Sequence, residues 1–127
     1  MKRIVIFIGL CFVIAVSVTG CYKDINLPTP AADPNGPPQQ LSFKTDIAPL
    51  LNTNCALSGC HVSGSQKPDM RTAVSYLSLV NGGYVNTLFP NQSILYIMIN
   101  GNMQEHIPSA VDRKKVYDWI RTGALNN

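Results

Sequence analysis

The sequence predicts a small, mostly α domain over residues 42–127, built from short helices joined by long loops. Three observations carry this. Apolar residues recur at helical spacing where the segment begins, a capped amphipathic pattern closes it, and polar connections such as Val62–Pro68 separate the pieces. Eighty-six residues arranged in this way bury little apolar surface by themselves, so the centre calls for a disulfide, a metal or a cofactor.

The first helix is expected over Phe43–Asn54. Ser42 stands as its N-cap, and Phe43, Ile47, Leu50 and Leu51 follow at steps of three and four. Pro49 lies inside this run and predicts a short or kinked helix. A second helix is expected over Thr72–Val80, stopped by Asn81-Gly82-Gly83. A third follows Ser93 as N-cap and runs through Ile94, Leu95, Ile97 and Met98 to Asn100-Gly101. The run Ile94–Ile99 is rich in β-branched residues, so a strand competes there. Met98 is read as core. The last helix is the clearest: Ser109 and Asp112 open it at capping spacing, Val116, Trp119 and Ile120 form its apolar stripe, and Gly123 ends it. Phe43, Ile47, Val116, Trp119 and Ile120 are expected to form the contact between the first and last helices.

Residues 1–20 read as a targeting segment. Lys2 and Arg3 precede the apolar run Ile4–Val18, whose 15 residues fall short of a bilayer-spanning helix of about 20. The run leads into Val18-Thr19-Gly20-Cys21, which resembles the lipobox of bacterial lipoproteins. That resemblance implies cleavage after Gly20 and lipid on Cys21, and several acyl chains at one residue anchor firmly. Residues 21–41 are rich in proline (Pro28, Pro30, Pro34, Pro37 and Pro38) and read as a flexible tether. An irregular strand packed on the domain is the alternative. With Lys2 and Arg3 set aside, eight basic residues face seven acidic ones. So even a balance gives no footprint for nucleic acid or for an acidic membrane surface. Hydrolase chemistry is equally poorly served: the chain holds two His and a single Glu, Glu105, with no nucleophile elbow or phosphate loop.

Cys11 lies in the leader and Cys21 at the lipobox, which leaves Cys55 and Cys60 with His61 directly after. The segment Cys55-Ala56-Leu57-Ser58-Gly59-Cys60-His61 resembles the c-type haem attachment motif Cys-x-x-Cys-His, with two additional residues between the cysteines. Leu57 occupies the place of the usual first cysteine. For Cys55 to reach a haem vinyl group, Ala56–Gly59 must bulge outward. Attachment through Cys60 alone is the other possibility.

The order of features along the chain resembles small class I-like cytochrome c domains. The ending Trp119-Ile120-Arg121-Thr122-Gly123-Ala124-Leu125-Asn126-Asn127 is similar to the Trp-Ile-x-x-Gly-Ala-x-Asn-Asn close of lipoprotein cytochrome c domains of Bacteroidetes-type bacteria. The resemblance covers most of residues 42–127 and implies a helical domain wrapped around one covalently bound haem c. It implies thioethers from Cys55 and Cys60, His61 as proximal iron ligand, the Pro68 carbonyl as acceptor for the His61 ring, and Met70 packed on the haem where the family has Leu. Met103 is the implied distal ligand, with His106 as the alternative. Tyr76, Tyr84, Tyr96 and Tyr117 are expected around the pocket, one phenol satisfying a propionate. The implied role is a membrane-anchored electron carrier in the envelope of a Gram-negative bacterium, periplasm-facing or at the cell surface, that meets redox partner proteins and catalyses no bond chemistry.

Two rivals stand beside this. Exported cysteines often pair, so a Cys55–Cys60 disulfide would make a lipid-anchored binding or structural module. A zinc site from Cys55, Cys60, His61 and His106 is disfavoured, because adjacent Cys60 and His61 cannot easily both ligate one tetrahedral ion.

Overall fold

The computed structural model describes residues 33–127. The leader, the lipobox and Cys21 lie outside them. Among the described residues there is no strand, and no helix is long and apolar enough to cross a membrane.

Ser42 caps the first turn. Its hydroxyl accepts from the Thr45 N–H at 3.3 Å, while the Asp46 carboxylate accepts from the Ser42 N–H at 2.8 Å. Phe43–Ile47 form a π-helical turn closed by the Ala48 N–H on the Phe43 carbonyl, and helix α1 continues over Ala48–Cys55. Pro49 sits in the first turn of α1. It has no N–H to give to the turn before it, so a regular ladder cannot run through, and the expected kink takes the form of a π turn.

Helix α2 covers Ser75–Asn81, not Thr72–Val80. Its start is delayed because residues 71–74 are spent in a turn: Val74 N–H bonds the Arg71 carbonyl at 2.9 Å, and the Asp69 carboxylate takes the Arg71 N–H at 3.1 Å. Helix α3 covers Ile94–Ile99 and decides the helix-or-strand question at that run. Ser93 has the extended backbone of an N-cap, yet its side chain makes no cap bond. Its hydroxyl instead accepts from the Asn86 N–H at 2.8 Å and donates to the Asn86 carbonyl at 3.2 Å, tying the loop 86–93 shut. Helix α4 covers Ala110–Arg121, capped as expected by the Ser109 hydroxyl on the Asp112 N–H at 3.2 Å. It ends in a Schellman motif. Gly123, at φ +101°, donates to the Ile120 carbonyl, and Ala124 donates to Trp119.

The core gathers on α4. Trp119 is fully buried, its ring 5.0 Å from Phe43, and Tyr76 meets Phe43 edge-on at 5.2 Å. Ile47, Leu51, Leu79, Val116 and Ile120 complete the cluster, so the expected contact between first and last helices is present. The indole N–H donates to the Leu125 carbonyl at 3.0 Å, which leaves no buried polar atom of the ring unpaired.

Two long-range clasps close the outer side. Asn127 accepts the Ser42 hydroxyl at 2.8 Å and the Lys44 N–H at 3.0 Å on its carbonyl, and the Phe43 N–H at 3.0 Å on its side chain. These serve N–H groups that a helix start otherwise leaves orphaned. Asp118, fully buried, accepts from Lys114 and Arg121 at 2.6 Å each and from the Gln39 N–H at 3.1 Å. Arg121 also donates to the Gly36 carbonyl at 2.8 Å. From Gly36 onward, the chain leading into the domain is therefore held against α4.

Burial pushes the Asp118 carboxyl upward, but the hydrogen bonds from Lys114, Gln39 and Arg121 outweigh it and hold it below the usual carboxylate range. A depressed folded value means stability that is fully present above the unfolded Asp pKa of about 3.9 and is lost as pH falls through the folded value. Thermal unfolding followed from pH 7 downward should show a steep acid limb below about pH 4, and Asp118→Asn should flatten it while lowering stability at neutral pH.

Candidate functional site

Helix α1 delivers Cys55 at its last turn and then gives way to a tight loop. The Cys60 N–H bonds the Leu57 carbonyl at 2.9 Å, Gly59 takes φ +79°, and the His61 N–H returns to the Cys55 carbonyl at 3.1 Å. A residue with a Cβ adopts that φ only under strain. Leu57, Ser58 and Gly59 face solvent. Ala56 stays packed against the core and Leu57 borders the cleft, so the chain between the cysteines bulges at 57–59, and Cys55, Cys60 and His61 all reach the wall of one cleft. No disulfide joins the two thiols. Burial, with a smaller contribution from neighbouring Cys60, pushes the Cys55 thiol up to about 11. It is therefore protonated at neutral pH.

His61 is fixed on three sides. Its N–H goes to Cys55, its carbonyl accepts from the Met70 N–H at 2.8 Å, and its ring Nδ1 lies 3.0 Å from the Pro68 carbonyl oxygen. A carbonyl can only accept, so Nδ1 carries the proton and donates it. In the neutral ring that leaves the lone pair on Nε2, which is the tautomer a metal-ligating histidine requires.

The cleft has a volume of about 320 Å³, within the range of small-molecule and cofactor pockets, and its walls are mainly apolar. Pro68 and Met70 line it beside His61, and Met70 is also part of the buried core. Helix α3 and the turn after it supply Leu95, Met98, Ile99, Met103 and His106. Met103 and Met98 are tied together by the Met103 N–H on the Met98 carbonyl at 2.9 Å. Met103 is half-buried, whereas His106 is exposed, its Nε2 3.7 Å from a Glu105 oxygen.

Two sequence readings are corrected. Met98 is half-buried on the cleft wall, not enclosed in the core, because α3 turns Leu95 and Ile99 inward and leaves Met98 on the adjoining face. Of the four tyrosines, only Tyr84 lines the cleft. Tyr76 joins the Phe43–Trp119 cluster and donates its hydroxyl to Ala124 at 3.2 Å. Tyr96 and Tyr117 stack on each other at 4.3 Å, with the Arg121 guanidinium 4.9 Å from the Tyr117 ring centre.

Among the described residues no three His, Cys, Asp or Glu side chains cluster as a metal site would need. The donor set that does converge fits a haem c: thiols beside a histidine with a free Nε2, thioether sulfurs on the cleft wall, and apolar lining around them. No known family model, curated protein or solved structure matches the chain.

Proposed function

We propose that this chain is a membrane-tethered, monohaem c-type cytochrome that carries single electrons between protein partners. One observation carries the reading. The His61 ring donates Nδ1–H to the Pro68 carbonyl at 3.0 Å and so offers Nε2 as a ligand, directly beside Cys60 on an apolar cleft wall. A ligating histidine almost always gives its other ring N–H to such an acceptor, which fixes its tautomer and ring orientation.

Haem supplies the one-electron chemistry when bound; the residues of the chain hold it and set its surroundings. Cys60 and Cys55, the latter at the end of α1, provide thiols for covalent attachment. His61 supplies the proximal nitrogen, and Met103 the distal thioether, which favours a high potential. Met70, Leu95 and Ile99 exclude water. Lipid on Cys21 fixes the domain to the envelope, which raises its effective concentration toward membrane-bound partners.

The test is direct. The intact chain, purified from a host competent in cytochrome maturation, should show a Soret band. Its reduced pyridine haemochrome should report two saturated vinyl groups when both cysteines are joined, and one when Cys60 acts alone. Colourless protein whose mobility shifts on reduction would instead indicate the disulfide module.

A further inference from the structure

The peptide unit that receives the His61 proton is itself held from behind. Its carbonyl belongs to Pro68 and accepts from His61 Nδ1 at 3.0 Å. Its N–H belongs to Asp69 and donates to the Ser78 hydroxyl oxygen at 2.7 Å. One rigid amide plane therefore connects the imidazole to a side chain on α2. The planarity of the peptide bond makes the two contacts interdependent: a tilt that weakens one weakens the other.

From this geometry we infer that Ser78 is a positioning residue for the histidine ligand, acting through the Pro68–Asp69 peptide. Two physical effects run along the chain of bonds. The first is orientation. The turn 67–70 has the Met70 N–H on the His61 carbonyl at one end and the Asp69–Arg71 ion pair, at 2.7 Å, on its far side. Neither contact fixes the rotation of the Pro68–Asp69 plane. The Ser78 hydroxyl does. The second is polarisation. An acceptor on the amide N–H draws electron density toward the carbonyl, and hydrogen bonds in series strengthen one another. A stronger Pro68 acceptor pulls more firmly on the Nδ1 proton and makes Nε2 a more basic donor.

The redox consequence rests on the proposed haem site; the hydrogen-bond chain does not. A more basic Nε2 favours the ferric state, so removal of the Ser78 hydroxyl raises the potential. Ser75, one turn earlier on the same helix, is fully buried and its hydroxyl has no hydrogen-bond partner. It makes no hydrogen bond to the amide plane and serves as the matched comparison.

The experiment uses the full chain carrying Ser78→Ala, Ser78→Thr or Ser75→Ala. The first readout is solvent exchange of the His61 Nδ1 proton by nuclear magnetic resonance, on the ferrous or haem-free protein. The second is the midpoint potential of haem-loaded protein. Ser78→Ala should speed the exchange by about two- to tenfold, the value of one lost hydrogen bond. It should also shift the ferric–ferrous equilibrium toward ferrous by up to about tenfold, which is about 59 mV for one electron. Ser78→Thr, which keeps the hydroxyl, should restore both. An unchanged exchange rate in Ser78→Ala overturns the inference, and so does an equal change in Ser75→Ala. In haem-loaded protein an unmoved potential overturns it too. Should the chain carry no haem, the electron-carrier reading falls, while proton exchange still decides the role of Ser78.

Discussion

On the proposed haem site, Cys60→Ala should yield a chain without covalently held haem. After denaturing electrophoresis, haem-dependent peroxidase staining at the position of the protein should fall to background. The reason lies in the loop between the cysteines. Cys60 is joined by its own peptide bond to His61, so thiol and imidazole are positioned by the same backbone, and the Gln66 N–H on the Cys60 carbonyl at 3.1 Å fixes that backbone. Cys55 is brought to the same cleft by the last turn of α1, and the loop 57–59 separates it from the Cys60–His61 pair. Cys55→Ala should therefore keep haem through the remaining thioether, with the α-band of the pyridine haemochrome displaced to longer wavelength by the unsaturated vinyl. His61→Ala should lose the Soret band nearly as completely as Cys60→Ala. Retention of full staining in Cys60→Ala would contradict the assignment of the motif.

Trp119→Ala is the substitution expected to cost the most folding stability. The side chain is fully enclosed, packs on Phe43 and Tyr76, and donates its N–H to the Leu125 carbonyl. Truncating a buried aromatic of this size costs about 3–5 kcal/mol from lost transfer energy and the cavity left behind. Domains of this size have about 5–15 kcal/mol to lose, so the variant should be near the edge of folding at ambient temperature. A denaturant titration followed by far-ultraviolet circular dichroism reads the loss directly. Trp119→Phe keeps most of the volume and should recover more than half of it. A midpoint for Trp119→Ala equal to that of the unsubstituted chain would show that the indole is not where the domain derives its cohesion.

Much of this was legible in the sequence wherever the controlling interactions are local. The cap at Ser109, the glycine stop at Gly123 and the kink at Pro49 each depend on residues within a few positions of one another. The apolar spacing of Val116, Trp119 and Ile120 was enough to indicate what α4 buries. The run Ile94–Ile99 was ambiguous because β-branched residues suit strands, and the helix prevails since Leu95 and Ile99, four apart, both face the core. Ser93 shows the limit of cap reading: its backbone is right for the role, but the Asn86 peptide captures its hydroxyl. The four tyrosines could not be sorted, because partners such as Ala124 for Tyr76 lie 48 positions away. Met98 was misread for a related reason. A thioether at an apolar helical position suits a core and a cofactor wall equally, and only the rotation of α3 distinguishes them. Ser78 left no signal at all, since its partner is a backbone amide in a loop.

The clasp of Asn127 on Ser42, Phe43 and Lys44 joins positions 83–85 residues apart, and the Asp118 bond to Gln39 spans 79. Closing such distant pairings is slow and gives no reward until both partners exist. A chain emerging from the ribosome therefore cannot close this seam before Asn127 has been made. The seam that completes the globule is also what postpones it.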